Sequence, residues 1–269
     1  MISIILPTTN GNRLKYCLES IRKSSYQDFE VIVNSVSGNL ELTEIIKEFG
    51  FKEIAKKTGI LESRYLCVIG AKGGKVLLLS DTRTISGSLL RQLADLKNDI
   101  VIIGEKEIGK SLLTKLQDSE SSYIQNIDVK SLDPLTNRFI LPRAYSTPLL
   151  KTAMERIKSN LPPNIFRDLA ALDQEIIYLE AFSISRDIGI IRDANIFHYG
   201  DENLFSLWRK YYKYGKHTRA VWATKYAPLS NLGGRLLVKS EHGSSIRNIP
   251  ILTLKGIPFL VGYLISLKS

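Results

Sequence analysis

The sequence predicts an α/β fold in which helices flank a mixed, mainly parallel sheet. Short, largely apolar runs recur in the first hundred residues, and segments with helical spacing separate them. The clearest runs are Ile2–Leu6, Phe29–Val33, Val76–Leu79 and Ile100–Ile103. Such runs are typical of strands buried on both faces, and strands that alternate with helices pair in parallel through right-handed crossovers.

Helical patterns fill the intervals between these strands. The first helix has apolar residues at the i, i+3, i+4, i+7 spacing of one helix face, namely Leu14, Cys17, Leu18 and Ile21. Further helices are expected over Leu40–Phe49, Leu61–Ile69 and Gly87–Leu96, and a short strand over Phe51–Ala55.

The second half of the chain is less regular. Residues 105–135 are polar and poorly periodic, which predicts a loop-rich excursion. The elements expected beyond it are a strand end at Phe139–Leu141, helices over Leu149–Ile157, Arg167–Phe182 and Leu204–Trp222, and short strands over Ile188–Arg192 and Asn195–His198.

The composition is that of a globular protein. Of 269 residues, 44% are hydrophobic and 24% are charged, which excludes a disordered or fibrous chain and allows a sizeable core. Cys17 and Cys67 are too few for a disulfide framework, and their apolar contexts predict that both are reduced and buried. No basic stretch and cleavage site follow Met1, so no signal peptide is expected.

Positive charge is concentrated towards the C-terminus. The chain has 37 Lys and Arg residues against 27 Asp and Glu, and the stretch from Asp201 onwards accounts for +8 of the net +10. Aromatic residues are frequent in the same stretch. A basic, aromatic surface indicates an anionic partner such as a membrane or an acidic substrate, with a solvated basic face as the alternative. No nucleic-acid partner is expected, because this stretch ends in an apolar segment and lacks RNA-binding signatures.

The segment Ile249–Leu267 is 19 residues long and almost uncharged. A membrane span needs about 20 apolar residues, but Pro250, Lys255 and Pro258 interrupt this segment. Two short hydrophobic elements in the membrane interface are therefore favoured, with a single span or a tail packed on the domain as alternatives. The expected location is the cytoplasmic face of the cell membrane, with the C-terminus as a peripheral or interfacial anchor.

Polar residues follow several of the predicted strands. They are Thr8–Asn10, Asn34–Ser35 and Asp81. In parallel α/β sheets, ligands bind beyond the carboxyl ends of the strands, so a binding site is expected at this edge.

Five segments occur in a recognisable order along the chain: ISIILPTTN, LKYCLESI with FEVIV, GGKVLLLSDTR, LDQEIIYLEAFSISRDIGII and FHYGDENLFSLWRKYYKYGK. Together they resemble the inverting glycosyltransferase family 2, which has a nucleotide-sugar-binding GT-A fold, and in particular its membrane-associated members. The resemblance implies a GT-A catalytic domain over 1–200 and a basic-aromatic helical tail with a hydrophobic end over 201–269. It implies sugar transfer from a UDP- or GDP-sugar to a lipid-linked or glycan acceptor near an anionic membrane surface. The alternative is a degenerate scaffold that binds nucleotide or membrane without turnover.

By this resemblance, Asp81 lies beside the donor diphosphate, at the first acidic position of the family's Asp-x-Asp pattern. A divalent cation, Mg²⁺ or Mn²⁺, would be held there by Asp81 and His198, since hard cations prefer oxygen ligands. A structural role for His198 is the alternative. Arg83 occupies the second acidic position, a departure that leaves metal dependence open, because an arginine pairs with phosphate oxygens itself.

An inverting displacement needs a base that takes the proton from the attacking hydroxyl. The resemblance implies that this base is Asp173. Glu175 is the alternative, although side chains two residues apart on a helix point about 200° away from each other. The remaining donor-site residues implied by the resemblance are Pro7, Thr8, Asn10 and Asn34 for the nucleoside, and Arg64 and Lys216 for the phosphates.

Overall fold

Eight strands form one sheet in the computed structural model, which describes residues 1–8, 13–35, 39–109, 111–117, 132–135, 141–201, 203–230 and 249–266. The strands are β1 (Ile2–Thr8), β2 (Phe29–Ser35), β3 (Lys52–Ile54), β4 (Lys75–Leu78), β5 (Arg83–Ile85), β6 (Ile100–Ile108), β7 (Ala144–Ser146) and β8 (Ile188–Tyr199). Their order across the sheet is β3-β2-β1-β4-β7-β6-β8-β5.

The sheet is mixed. Strands β1 to β4 pair in parallel, and so do β6 and β8. Strand β7 runs antiparallel to both β4 and β6, and β5 runs antiparallel to β8. The predicted mixed, mainly parallel α/β class is therefore confirmed.

Nine α-helices with defined bounds accompany these strands in the described part of the chain, together with two short 3-10 helices, Val221–Ala223 and Ala227–Ser230. The α-helices are α1 (Leu14–Arg22), α2 (Leu40–Glu48), α3 (Ile60–Ile69), α4 (Leu89–Asp95), α5 (Thr147–Asn160), α6 (Pro163–Asp168), α7 (Asp173–Ile184), α8 (Leu204–Ala220) and α9 (Ile249–Ile265). Residues 112–117 are helical as well.

Two apolar clusters cover the two faces of the sheet. Alternate residues of a strand point to opposite faces, so Ile5 lies in the cluster with α3, α5 and α7, whereas Ile4 and Leu6 lie in the cluster with α1, α2 and α4. Cys17 and Cys67 are free and buried, as expected, and burial raises the pKa of Cys67 to about 12.

Three expectations from periodicity need correction. The two short strands expected after residue 187 are one strand, β8, because both halves pair with β6 across an irregular register at Ile103 and Gly104. The long helix expected from Arg167 is divided into α6 and α7, since Leu172 adopts a left-handed φ of 64° between them. The expected excursion after residue 104 begins later, because β6 continues to Ile108. The strand end expected near residue 140 falls mainly on residues 136–140, outside the described residues.

The C-terminal segment forms one helix, so the expectation of two short elements is wrong. Helix α9 contains Pro258 and packs along α8. Among the described residues, none of the helices is long and apolar enough to cross a membrane. Residues after α8, including Val221 and Tyr226, lie in the core cluster with α7. The domain boundary at residue 200 stays a prediction.

Glycines allow α8 and α9 to approach closely. A methyl group at Gly262 would lie 2.1 Å from the backbone oxygen of Tyr212, and one at Gly215 would lie 2.0 Å from that of Phe259. We therefore expect Gly262→Ala to lower the free energy of unfolding by about 1–3 kcal/mol, the usual cost of overpacking, as measured by urea denaturation.

Gly256→Ala is the matched control in the same helix, because a methyl group there has no atom within 4 Å. It should leave stability unchanged or raise it by up to about 1 kcal/mol through helix propensity. Equal effects of the two substitutions would contradict the close packing of α8 on α9.

Candidate active site

A cavity of about 760 Å³ lies between the sheet and the C-terminal helices. Strands β6 and β8 form one side of it, and the first turn of α7 forms another. Helices α8 and α9 complete the wall with the side chains of Lys210, Tyr211, Tyr214, Lys255 and Phe259, among others. Cavities of this size and mixed lining are typical of small-molecule sites.

Asp173 begins α7 at the wall of this cavity. Its Oδ2 lies 2.7 Å from Nε of Arg64, which is 1% exposed, and Arg64 Nη1 also donates to the backbone oxygen of Leu79 at 3.5 Å. Arg64 was expected to meet the donor diphosphate, but it does not line the cavity. The structure places it behind Asp173, where the ion pair orients the carboxylate.

Glu175 lines the same cavity as Asp173. The divergence of about 200° expected from their spacing does not keep either residue from the cavity wall. Both residues lie in the first turn of α7, and this end of the helix faces the cavity, so side chains that diverge around the axis still reach it. The positive end of the helix dipole favours negative charge at this place.

A buried ion network also lines the cavity and reaches the first turn of α7 through Gln174. Arg83 Nε donates to Glu105 Oε1 at 2.9 Å, and Arg143 pairs with Glu105 Oε2 and with Gln174 Oε1. Burial acts to raise the pKa of Glu105, but the guanidinium groups of Arg143 and Arg83 outweigh it and hold the pKa well below its ordinary value.

His198 lies beside this network. The β5–β8 register puts Arg83 opposite His198, and Nδ1 of His198 lies 2.8 Å from Glu107 Oε1. Burial and the charge of Arg83 lower the pKa of His198, against the opposing effect of Glu107 and Glu105. The imidazole is therefore neutral at pH 7.

The predicted cation ligands are not brought together as expected. Asp81 accepts a hydrogen bond from Thr8 Oγ1 at 2.6 Å and does not line the cavity that His198 lines. The expectation that Asp81 and Asp173 face one shared cavity is thus not met by its lining. Thr8 is the last residue of β1, and residues 9–12, which follow it in the sequence, are outside the described residues.

Three other side chains could offer ligand atoms to a metal ion, namely Glu105, Glu107 and His198. One such atom from each lies within 4.8 Å of the others. Both carboxylate oxygens of Glu105 already accept hydrogen bonds from arginines: Oε1 from Arg83 and Oε2 from Arg143. Oε1 is also the Glu105 oxygen that lies 3.9 Å from His198 Nδ1. A divalent cation at this place would meet the Arg83 guanidinium. The residues present do not fit such a cation.

The other predicted donor-site residues have mixed positions. Pro7 is buried in β1, and Asn10 lies outside the described residues. The Asn34 amide donates to Ser63 Oγ at 2.8 Å and accepts from the Lys56 backbone N–H at 3.2 Å, so it holds β2 against the loop before α3. Lys216 is exposed on α8 and does not line the cavity.

Sequence reasoning missed the acidic side of the site. The polar, poorly periodic composition of residues 105–135 predicts a loop for Glu105 and Glu107, whereas both lie in β6. Their spacing of two places both side chains on one face of an extended strand, and this alternation directly after Ile100–Ile103 is the signal that extends the strand. Arg143 left no comparable signal, since its role depends on a partner 38 residues away.

The mixed sheet and its flanking helices form a fold that solved structures of other proteins share. No family model matches the chain, and no curated protein matches it by sequence. Solved structures do share its fold. S. aureus TarS is similar at a TM-score of 0.55 and 15% identity, over 97% of this chain and 54% of its own, so this chain spans about half the length of that protein.

Ligand complexes of a shorter TarS chain are similar as well. TarS 1–349 in complex with UDP-GlcNAc matches at a TM-score of 0.53 and 17% identity, over 99% of this chain and 79% of its own. The complex of TarS 1–349 with UDP matches at a TM-score of 0.52 and 16% identity, over 92% of this chain and 73% of the TarS chain. At these identities the likeness shows the fold.

Proposed function

We propose that the chain is an inverting glycosyltransferase, of the family 2 type, that uses a nucleotide-diphosphate sugar. The observation that carries the proposal is the position of Asp173, which a buried arginine fixes at the wall of a cavity that Arg83 also lines. The fold shared with TarS, whose structure holds UDP-GlcNAc, supports a UDP-sugar as the donor in preference to a GDP-sugar.

The proposed reaction is a single displacement at the anomeric carbon. The acceptor hydroxyl oxygen forms a bond to that carbon while the bond to the diphosphate oxygen breaks. The hydroxyl proton passes to the Asp173 carboxylate, and the electron pair of the broken bond leaves with the nucleoside diphosphate. Catalysis thus needs a base on one side and positive charge on the other.

Binding and turnover can be measured separately. The purified full chain is titrated with UDP, and UDP or GDP release is followed with UDP-GlcNAc, UDP-glucose and a GDP-hexose as donors. We expect UDP binding and release of UDP from at least one UDP-sugar. Binding without release from any donor would contradict an enzyme and favour the degenerate scaffold; no nucleotide binding would contradict both.

We propose further that the acceptor is lipid-linked or membrane-proximal. Residues Ile257, Leu260, Val261, Leu264 and Ile265 form an apolar stripe on α9, and each is 44–56% exposed. Their spacing places them on one helix face. Helix α8 carries two exposed aromatic residues, Phe205 and Trp208. It also carries three exposed, positively charged residues, Arg209, Lys213 and Lys216.

An anionic bilayer fits these residues, because apolar side chains enter the membrane interface while Lys and Arg side chains contact the headgroups. Each Lys or Arg near the surface contributes about 1 kcal/mol of electrostatic attraction. The same two helices line the cavity, so docking through them would hold the site beside the bilayer. The cytoplasmic face of the cell membrane is the expected location, since nucleotide sugars are made in the cytoplasm.

Charge placed in the stripe should detach the protein from membranes. We expect Leu260→Glu combined with Leu264→Glu to weaken binding to vesicles of phosphatidylcholine and phosphatidylserine at least tenfold, because each leucine loses about 1.5–3 kcal/mol of burial. Co-sedimentation measures the bound fraction. Point substitutions are used because α9 also lines the cavity.

The control is Leu40→Glu combined with Leu112→Glu, which alters two exposed leucines elsewhere by the same charge. It should bind vesicles nearly as well as the parent chain. Undiminished binding of the stripe variant, or an equal loss in the control, would contradict docking through α9.

A further inference from the structure

Arg83 stands where the resemblance to family 2 places the second acid of the Asp-x-Asp pattern. Its side chain is 14% exposed and lines the cavity. Nη1 donates to Ser80 Oγ at 2.6 Å and Nε donates to Glu105 Oε1 at 2.9 Å, so the guanidinium is held in one place. Burial acts to lower the pKa of Arg83, but the negative charge of Glu105 outweighs burial, so the pKa of Arg83 is raised.

We propose that the Arg83 guanidinium takes the place of the divalent cation and binds the donor diphosphate directly. This inference rests on the proposed function and deepens it, because it names the group that stabilises the leaving nucleoside diphosphate. Guanidinium groups donate two parallel hydrogen bonds to phosphate oxygens and keep their charge at any physiological pH.

The charge balance of the cavity supports a dianionic ligand without a metal. Six cationic side chains line it, namely Arg83, Lys106, Arg143, Arg192, Lys210 and Lys255, against the four acidic side chains of Glu105, Glu107, Asp173 and Glu175. With His198 neutral, the lining carries two positive charges in excess. A diphosphate brings two or more negative charges, so binding makes the site close to neutral.

Glu105 holds the two neighbouring arginines in place. Glu105 pairs with Arg83 and Arg143 at once, which allows two like charges to lie close together in a buried place. Removal of such a shared partner leaves uncompensated charge. Glu105 is therefore a positioning residue for the two guanidinium groups.

The test measures UDP affinity by calorimetry with EDTA and with Mn²⁺. The parent chain should bind UDP equally under both conditions, within about twofold, and should show no bound Mn²⁺ by electron paramagnetic resonance in the absence of nucleotide. Arg83→Lys keeps the charge but loses the fork of donors, and it should weaken UDP binding several-fold without any rescue by Mn²⁺.

Arg83→Asp restores the second acid. We expect this variant to lose at least tenfold in UDP affinity in EDTA and to regain part of it with Mn²⁺, because the substitution adds a carboxylate beside Glu105, Glu107 and His198. Arg156→Asp, an exposed residue on α5, makes the same change in net charge and should leave UDP affinity unchanged. Circular dichroism confirms that each variant folds.

The outcomes separate the two proposals. UDP binding by the parent chain that depends on Mn²⁺ overturns the role of Arg83 but leaves the transferase intact. Unchanged affinity in folded Arg83→Lys and Arg83→Asp also overturns it. No binding of UDP by the parent chain under either condition contradicts the proposed function, and this inference with it.

Discussion

Asp173→Asn is expected to lower the rate of UDP release from a UDP-sugar by about 100-fold to 10,000-fold, the usual contribution of a general base. The amide has the same shape and still accepts the hydrogen bond from Arg64 Nε, but it cannot take a proton from the attacking hydroxyl. UDP affinity should change by less than about threefold, because the group proposed to bind the diphosphate is Arg83 and not Asp173. Initial rates at saturating donor measure the loss.

Glu175→Gln distinguishes between the two carboxylates of the first turn of α7. Both line the cavity, and the ion pair with Arg64 fixes the orientation of Asp173. We expect the Glu175 variant to lose less than about tenfold in rate. A large loss in Glu175→Gln with a small one in Asp173→Asn would transfer the role of base to Glu175. A loss below about threefold in both would contradict a carboxylate base.

Arg64→Met is expected to lower the free energy of unfolding by about 3–5 kcal/mol, as is typical when one partner of a buried ion pair is removed. The Arg64 side chain is 1% exposed and that of Asp173 is 12% exposed, so the remaining carboxylate has little access to water. Methionine retains most of the apolar volume of the arginine stem. Urea denaturation at pH 7 measures the change.

The double variant Arg64→Met with Asp173→Asn tests the cause. Because it removes both charges, it should be more stable than Arg64→Met alone, and the two changes should not add. Arg156→Met on the surface of α5 should change stability by no more than about 0.5 kcal/mol. Additive effects of the two substitutions would show that the pair does not interact.

Periodicity predicted the first half of the fold because its elements are locally specified. The four apolar runs correspond to β1, β2, β4 and the start of β6, and the helical spacing after β1 corresponds to α1. Each pattern depends on side chains within a few residues of one another. Prediction failed where distant partners decide the structure, as in β8, which becomes one strand only through its pairing with β6.

The candidate site shows the same division. The sequence pointed to Asp173, Arg83 and His198, and the structure brings all three to one cavity. It did not reveal that Arg64 supports Asp173, since 109 residues separate the two. The resemblance also placed Asp81 beside the donor diphosphate, but Asp81 does not line this cavity and accepts a hydrogen bond from Thr8.

By itself, the sequence determined the α/β class, the excess of positive charge from Asp201 onwards and the residue types available for chemistry, because hydropathy and charge are properties of neighbouring residues. Only the tertiary structure decided which charges meet. Strand register placed Arg83 beside His198, and burial paired Glu105 with two arginines, since a charge removed from water needs a partner wherever along the chain that partner lies.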